Sequence, residues 1–414
     1  MDLAMKVCMY SFAFFMPWSI TGSQISLGAM LALQIGIWIT TKRMQWRWDP
    51  MYIPLILFMI GVLISIAVSP DPKLSFIKGS RIWILSIYFL FANHLVGERS
   101  VRNTFKVLTY VTAIIAIYSI VFQHFMGLDP LRVIASPTEL FQKKGGYFHA
   151  VGLFDHHLTY GNSLMMVLFL NVALFFSASS RKEKIALAGA FVLSLAALFF
   201  TYARGPWMGF MAGCMLYGFV KGKKGMAILA VAVILIGGAF YFGSKSVRDR
   251  METVAASQAD VERIITWQIA VKMIKDYPIF GVGPGMFHQM VDSYRTGYNV
   301  HFTSRSHAHN SYLQVLVESG IVGFIPLVMV LTTLFYVGSR KMYDKFIPPL
   351  SRELTLGSMA ALTAFWVAAL FQHNLGDGEV AMLMWFIAAA ALRGGRRDHV
   401  QLGYESMAFE EERV

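Results

Sequence analysis

Two histidines and an asparagine stand immediately before a long apolar segment of this chain. His307, His309 and Asn310 precede a run of mostly apolar residues that extends over about residues 311–338. An imidazole near neutral pH can accept the proton of an attacking hydroxyl group. Ionisable groups beside a hydrocarbon phase are costly, so they usually mark a place where chemistry or transport happens. We therefore interpret the two histidines as candidate bases and Asn310 as a candidate helix cap.

A structural interpretation of the same residues stays open, because two histidines at a helix start can simply cap it and hydrogen-bond. Metal binding has less support in the sequence. Zinc needs more ligands at suitable spacing, and His307 and His309 are two residues apart, so they would not share a helical face. Asp377 and Glu379, with His373 nearby, form a thin ligand set for a divalent cation. We expect no metal site.

Several cations are placed where phosphate could be bound. Arg204 lies in a very short connection between two apolar runs, and its planar guanidinium group suits bidentate contact with phosphate. Arg263 lies on a predicted amphipathic helix. Lys78 and Arg81 are spaced i, i+3 and could share a helical face. The alternative for all four is contact with lipid headgroups by ordinary interfacial cations.

The elements that must position these residues are membrane helices. The chain has 414 residues, of which 56% are hydrophobic and only 14% are charged, whereas soluble proteins carry about 25% charged residues. Its length accommodates about a dozen spans of roughly 20 residues. We predict an all-α integral membrane fold with about twelve transmembrane helices. The apolar runs fall at about 3–20, 25–41, 51–69, 80–97, 104–126, 157–178, 185–202, 207–220, 225–243, 311–338, 353–372 and 379–393.

The positive charges predict the orientation of these helices, because short cytoplasmic loops are enriched in Lys and Arg. Alternate loops or tails carry three such residues each, which predicts an even number of spans with both termini in the cytoplasm. The net charge of +12 forms no basic stripe with interleaved aromatic residues, so we expect no nucleic-acid partner. The six groups are Lys42, Arg43 and Arg47; Arg99, Arg102 and Lys106; Arg181, Lys182 and Lys184; Lys221, Lys223 and Lys224; Arg340, Lys341 and Lys345; and Arg393, Arg396 and Arg397.

The predicted organisation has four parts: helices one to nine over residues 1–243, a large outer loop over 244–310, helices ten to twelve over 311–393 and a cytoplasmic tail over 394–414. Further outer connections run from Pro70 to Arg81 and over residues 127–155, the latter including Lys143 and Lys144. Within the large loop, apolar residues at i, i+3, i+4 and i+7 predict an amphipathic helix from about Asp260 to Lys275. Pro278 should end it. Gly281–Gly285 should form a tight turn, which is not a nucleotide-binding fingerprint because no strand precedes it.

Three motifs, in their order along the chain, resemble the O-antigen ligase and O-antigen polymerase superfamily. The ordered set is more specific than any single motif, and together with the span count and the large outer loop it covers nearly the whole chain. The motifs are Arg204-Gly205-x-Trp207; Arg263-x-x-x-Trp267, continuing to Pro278-x-x-Gly281-x-Gly283-x-Gly285-x-Phe287; and His309-Asn310-x-Tyr312-Leu313-Gln314 with Glu318-x-Gly320-x-x-Gly323.

The resemblance implies a metal-independent, inverting glycosyltransferase of the GT-C type that needs no cofactor. It implies an active site on the periplasmic face of the bacterial inner membrane and a glycan donor linked to undecaprenyl diphosphate. His309 would be the base for the acceptor hydroxyl, and Arg204 and Arg263 would hold the diphosphate. Residues 152–157 depart from the Gly-x-Phe-x-x-Pro-Asn pattern of many relatives, which puts a role for that loop in doubt. The further substrate-binding candidates are Lys78, Arg81, His307, Asn310, Tyr312 and Glu318.

Three functions remain open from the sequence. We favour the ligase that joins O-antigen to lipid A–core in a membrane-lipid environment. The polymerase resembles it closely because both use the same donor and the same base. A transporter or flippase of lipid-linked glycan would carry charged residues within its spans, and few are present.

Overall fold

The computed structural model describes residues 2–42, 48–95, 97–131, 148–243, 258–295 and 307–393. Within these ranges the regular secondary structure is helical throughout. Ser306, Lys143, Lys144 and the predicted tail 394–414 lie outside the described residues, as do Arg43 and Arg47 of the first basic loop. The α-helices are α1 (Asp2–Phe15), α2 (Ile20–Thr41), α3 (Tyr52–Ala67), α4 (Pro72–Gly79), α5 (Ser86–His94), α6 (Glu98–Tyr118), α7 (His157–Ser177), α8 (Arg181–Phe200), α9 (Arg204–Gly243), α10 (Gln258–Asp276), α11 (Met286–Met290), α12 (Ser311–Tyr343), α13 (Pro349–Ala368) and α14 (Gly378–Arg393).

Six helical segments among the described residues are long and apolar enough to cross a membrane. Three shorter apolar helices accompany them, at Leu3–Phe15, Tyr52–Ala67 and Gly378–Leu392. The all-helical membrane class predicted from composition is therefore confirmed, whereas the count of twelve crossings stays a prediction. The six segments are Ile20–Thr41, Pro72–His94, Glu98–Met126, His157–Ser177, Arg181–Phe200 and Ser311–Tyr343.

Helix α7 forms the centre of the bundle. Every residue from Thr159 to Leu174 is buried, so the helix is enclosed on all sides rather than along one stripe. It packs against α8 and α13, and α13 packs in turn against α9. A Cβ atom at Gly209 of α9 would lie 2.5 Å from the carbonyl oxygen of Ala364 in α13, so only glycine allows this close crossing.

The fourth apolar run begins earlier in the structure than in the sequence prediction. The connection expected from Pro70 to Arg81 is helical from Pro72 onward, as α4 followed by a 3₁₀ helix over Ser80–Leu85. Asp71 caps α4 by accepting a hydrogen bond from the Leu74 N–H at 2.9 Å, and proline suits the first helical position that follows. Lys78 therefore lies on a helix, and Arg81 lies on the 3₁₀ turn after it.

Helices α10 and α12 carry eight of the eighteen motif residues. A helix is present at the predicted place, as α10, and Ile265, Ile269 and Met273 bury one of its faces in a small core shared with Val317 of α12. The apolar stripe predicted from the sequence is only partly buried, because its members Val261, Ile264 and Val271 are exposed. Helix α12 is bent at Gly320, where φ is 58°.

Candidate functional site

A cavity of about 570 Å³ opens between α3, α4, α12 and α14 at the end of the bundle that carries the histidines. Its floor comes from apolar residues in the middle of helices, including Phe58 of α3 and Trp385 of α14. Its rim is polar. The cavity therefore suits an amphiphilic ligand with a charged or polar head and an apolar tail. The polar side chains that line it are Lys78, Arg81, His288, Gln289, His307, Gln314, Glu318, Ser319 and His373.

Three histidines from two loops form a cluster at this rim. The ring centroids of His307 and His309 are 4.3 Å apart, and those of His307 and His373 are 5.5 Å apart. His309 has a φ of 50°, in the left-handed region that few side chains adopt. Its backbone N–H donates to Nδ1 of His307 at 3.2 Å. This bond requires Nδ1 of His307 to be the unprotonated ring nitrogen.

All three imidazoles are held in the neutral form. The pKa of His309 is lowered from 6.5 to about 4, mainly by burial and also by electrostatic interaction with Arg263 and with His373. Burial and His309 lower the pKa of His307 to about 4, and burial, His307 and Arg81 lower the pKa of His373 to about 3. A neutral imidazole has one ring nitrogen with a lone pair. That nitrogen of His307 already accepts from the His309 N–H, whereas His309 and His373 can accept a proton or a hydrogen bond.

Two of the predicted phosphate ligands flank this cluster. Arg263 of α10 lies near enough to His309 for its charge to depress the pKa of that ring. Arg81 acts in the same way on His373, and its Nη1 donates to the carbonyl oxygen of Gly376 at 2.8 Å. The structure thus brings together imidazoles and guanidinium groups that lie far apart in the sequence.

Arg204 is positioned at the first residue of α9, beside the loop that carries His373. A Cβ atom at Gly205 would lie 3.7 Å from the side chain of Gln372. The side-chain oxygen of Gln372 accepts a hydrogen bond from Nδ2 of Asn162 at 2.7 Å. The backbone carbonyl oxygen of Gln372 accepts one from the Ser311 hydroxyl at 3.1 Å. Arg204 is not among the described residues that line the cavity.

Glu318 is the centre of a hydrogen-bond chain that runs to the histidine loop. Its Oε1 accepts from the Gly285 N–H at 2.8 Å and from Nε2 of Gln314 at 2.8 Å. Oε1 of Gln314 in turn accepts from the Ala308 N–H at 2.7 Å. Because Ala308 lies between His307 and His309, this series of hydrogen bonds fixes the backbone from which both rings project.

The glycine turn predicted at Gly281–Gly285 docks onto the bend of α12. The N–H groups of Ile321 and Val322 donate to the carbonyl oxygens of Pro278 and Ile279 at 3.0 and 3.1 Å. Carbonyl groups outside α12 therefore accept the hydrogen bonds of backbone N–H groups near its bend. Gly281 has a φ of 71°, and a Cβ atom there would lie 2.4 Å from the Glu318 carbonyl carbon. The turn therefore holds α12 bent and Glu318 in place.

Asn310 and Tyr312 have structural contacts. The predicted cap is confirmed, since Oδ1 of Asn310 accepts from the N–H groups of Tyr312 and Leu313 at 2.9 and 3.1 Å. The Tyr312 hydroxyl donates to the carbonyl oxygen of Trp366 at 3.0 Å. A contact of either residue with substrate stays a prediction.

The acidic pair near the histidine cluster is also engaged within the protein. Oδ2 of Asp377 accepts from the Thr159 hydroxyl at 2.5 Å. Among the described residues no group of three or more His, Cys, Asp and Glu side chains is arranged to hold a metal ion.

Five polar residues that line the cavity were not assigned roles from the sequence: His288, Gln289, Gln314, Ser319 and His373. His373 was considered only as a neighbour of the acidic pair, and Gln314 only as part of a motif. The only sequence signal for His373 is an imidazole directly before a short polar connection between two apolar runs. Its partners Arg81 and His307 lie in other parts of the chain, so no local pattern could have linked them.

Substitutions of Glu318 test whether this residue positions the histidine loop or whether activity depends on its negative charge. In Glu318→Gln the amide oxygen can still accept from Gly285 and Gln314, so we expect activity within severalfold of the unmodified protein. Glu318→Leu removes the acceptor from two donors, which costs about 1–3 kcal/mol for each group left unsatisfied. Unfolding temperature and turnover of the purified protein test this. A Glu318→Gln protein that folds normally but is as inactive as Glu318→Leu would contradict a positioning role.

The histidine cluster predicts a fall in stability on mild acidification. The pKa values of His307, His309 and His373 are lower in the folded protein than the ordinary 6.5. Below pH 6.5 the unfolded chain therefore binds more protons, and stability declines from about pH 6.5 toward pH 4. Thermal unfolding in detergent should show this decline, with a smaller slope in His373→Gln. An equal slope in both proteins would contradict the prediction.

The fold and the site together define a helical membrane protein with an imidazole and guanidinium cluster beside an amphiphilic cavity. Residues 189–328 match the family model described as O-antigen ligase. The matched part of the chain carries Arg204, Arg263, His309 and Glu318, so the family model supports the resemblance to O-antigen ligases in the region of the site. The sequence resemblance is confirmed at the level of the ligase and polymerase superfamily.

The chain is also similar to a protein of Haemophilus influenzae. That protein, described as uncharacterized, is 25% identical over 320 residues, which is 69% of this chain and 79% of the relative. The similarity extends over more of the chain than the family model does.

Proposed function

We propose that this protein is an O-antigen ligase that transfers a glycan from undecaprenyl diphosphate to a hydroxyl group of lipid A–core. The observation that carries the proposal is the neutral His309, which has Arg263 beside it and lies one imidazole away from an amphiphilic cavity. A base, a cationic grip and room for a lipid-linked head are the parts that such a transfer needs.

In the proposed reaction the acceptor oxygen attacks the anomeric carbon of the donor sugar, and His309 takes the proton of the hydroxyl group. The bond between that carbon and the diphosphate oxygen breaks, so undecaprenyl diphosphate leaves with the electron pair. Attack from the opposite face inverts the configuration at carbon. Arg263 and Arg204 would stabilise the negative charge that develops on the diphosphate. No metal ion or cofactor takes part in this scheme.

The cavity suggests how the donor is held. Lys78 and Arg81 at the rim would contact phosphate, while the apolar floor with Phe58 and Trp385 would accommodate the first isoprene units. His373, in its neutral form, would accept a hydrogen bond from a sugar hydroxyl group, whereas His307, whose Nδ1 already accepts from the His309 N–H, would donate one from Nε2. The proposal includes a GT-C arrangement of about twelve spans, both termini in the cytoplasm and a periplasmic site in the bacterial inner membrane.

The polymerase of the same superfamily is the second candidate. It would use the same donor grip and the same base, with a second lipid-linked glycan as the acceptor. A glycan transporter or flippase is less well supported, because its charged pathway would be expected within the spans. Few charged residues line the cavity within the described spans: Lys78 and Arg81 in Pro72–His94, and Glu318 in Ser311–Tyr343.

The lipopolysaccharide pattern of a strain that lacks this gene tests the proposal. Loss of a ligase should leave bare core on gels, with full-length polymer retained on the carrier lipid. Loss of a polymerase should instead leave core capped by a single repeat unit. An unchanged ladder would contradict both candidates. Complementation with the unmodified gene should restore the original ladder, whereas the His309→Ala gene should not.

A further inference from the structure

A second groove lies along the face of α10 that is turned away from its core. Its volume is about 650 Å³. The α10 residues that line it follow the spacing i, i+3, i+4, i+7, i+8 and i+11, so they form one continuous helix face. Leu313 of α12 borders it. We call this surface the α10 groove; its α10 residues are Ile264, Trp267, Gln268, Val271, Lys272 and Lys275.

The α10 groove is not needed to hold the helix in place. The buried face of α10, with Ile265, Ile269 and Met273, already packs against the turn after α10 and against α12. Yet Ile264 remains 55% exposed and Val271 remains 43% exposed. Apolar side chains grouped on one exposed face usually mark a surface that another molecule covers.

The charges in the α10 groove favour an anionic partner. Its described lining contains two ammonium groups, Lys272 and Lys275, and no carboxylate. Ile264, Trp267 and Val271 form one lengthwise half of this face, and Gln268, Lys272 and Lys275 form the other. A molecule that fits both halves is amphiphilic and carries phosphate or another anion on part of its structure.

Two residues, Arg263 and Leu313, connect the α10 groove with the histidine cluster. Arg263, next to the first groove residue, acts on His309, and Leu313 lies four positions after that histidine. At 1.5 Å per helical residue, Lys272 and Lys275 lie about 14–18 Å along the axis from Arg263. A ligand bound here would hold its anionic groups about 14–18 Å along the helix from Arg263, the residue that acts on the proposed base.

We propose that the α10 groove docks the phosphorylated glycolipid acceptor, with its phosphates on Lys272 and Lys275 and its sugar chain extending toward His309. This inference rests on the proposed function, because it assigns an acceptor to the same reaction. The phosphates of such a lipid lie on the sugars nearest its acyl chains, and the reacting hydroxyl lies farther along the sugar chain, so the two would contact different parts of the protein.

The first test measures binding without any transfer. Native mass spectrometry of the full-length protein in neutral detergent is carried out with lipid A that carries two phosphates. We expect K272Q/K275Q to retain about tenfold less of this probe, since partly exposed charge pairs contribute modestly. The control K182Q/K184Q, which removes two exposed lysines at the start of α8, should retain as much as the unmodified protein.

Competition in the same experiment identifies what the α10 groove recognises. Lipid A without phosphates should bind more weakly than the bisphosphorylated form. Phosphatidylglycerol and inorganic phosphate should displace the bisphosphorylated form only at large excess. Equal retention by K272Q/K275Q, equal binding of phosphate-free lipid A, or equal affinity for phosphatidylglycerol would overturn the proposal. Displacement by inorganic phosphate at an equal concentration would also overturn it, since the lipid part would then contribute nothing.

The second test measures transfer from lipid-linked glycan to lipid A–core. K272Q/K275Q should raise the KM for acceptor about tenfold, with kcat and the KM for donor within twofold of the unmodified protein. An unchanged acceptor KM alongside normal transfer would overturn the groove assignment and leave the proposed function standing. Absence of transfer by the unmodified protein would instead count against the proposed function, and the binding test would still decide whether the groove takes a phosphorylated lipid.

Discussion

Replacement of His309 is expected to abolish transfer while donor binding persists. Loss of a general base lowers turnover by about 10²–10⁴-fold, and His309 is the only one of the three clustered rings whose pKa is lowered by Arg263. His309→Ala should therefore reduce kcat by at least about a hundredfold, with donor affinity changed less than threefold. Purified protein with a lipid-linked donor allows both quantities to be measured.

His309→Asn removes the base with the least disturbance of the backbone. The φ of 50° at this residue is unfavourable for alanine, whereas asparagine tolerates the left-handed region well. The two variants should be equally inactive, and His309→Asn should unfold at a temperature closer to that of the unmodified protein. His94→Ala, which removes an imidazole bonded to Gln34, is the control and should remain active. Substantial transfer by His309→Asn would refute the assignment of the base.

Neutralisation of Arg263 should have the second largest effect and should change two properties together. Loss of a cation that faces the developing charge typically costs about 10²–10³-fold in turnover, and donor affinity should also fall. The same change removes a positive charge that lowers the pKa of His309. That pKa should rise in Arg263→Ala, so the acidic limb of the profile of kcat/KM against pH should move to higher pH.

Arg263→Lys and Arg204→Ala extend this test. The lysine retains a positive charge but loses the planar fork, so it should keep the acidic limb near its original position and recover part of the rate. Arg204→Ala should lower donor affinity and turnover. We expect it to leave the acidic limb of the profile of kcat/KM against pH unshifted. Arg181→Ala changes an exposed arginine at the start of α8 and serves as the control. Unchanged donor affinity and rate in both Arg204→Ala and Arg263→Ala would show that the diphosphate lies elsewhere.

Features fixed by neighbouring residues could be predicted from the sequence. The spacing of apolar residues predicted α10, and Asn310 was recognised as a cap because capping depends on only four consecutive residues. The separation of the runs 207–220 and 225–243 matches the break of α9 at Gly222, where φ is 78°. Each of these features depends on local backbone chemistry alone.

Features that depend on packing between distant segments could not be predicted. Arg81 meets the loop of His373 although 292 positions separate them, and no sequence period links the two. The glycine turn was recognised, but its docking against the bend at Gly320 depends on the shape of two separate segments. The start of α4 was missed because Pro70–Arg81 was interpreted as a loop, although Asp71 and Pro72 together are a helix-start signal.

Analysis of the products of a single reaction with purified components tests most directly whether this protein is an O-antigen ligase with His309 as its base. The full-length protein is incubated with undecaprenyl diphosphate that carries one labelled repeat unit, together with lipid A–core. A ligase with His309 as its base should move the label onto lipid A–core and release undecaprenyl diphosphate, and His309→Asn should yield no such product. Label that appears only in longer chains on the carrier lipid, or that reaches lipid A–core equally well with His309→Asn, would contradict this account.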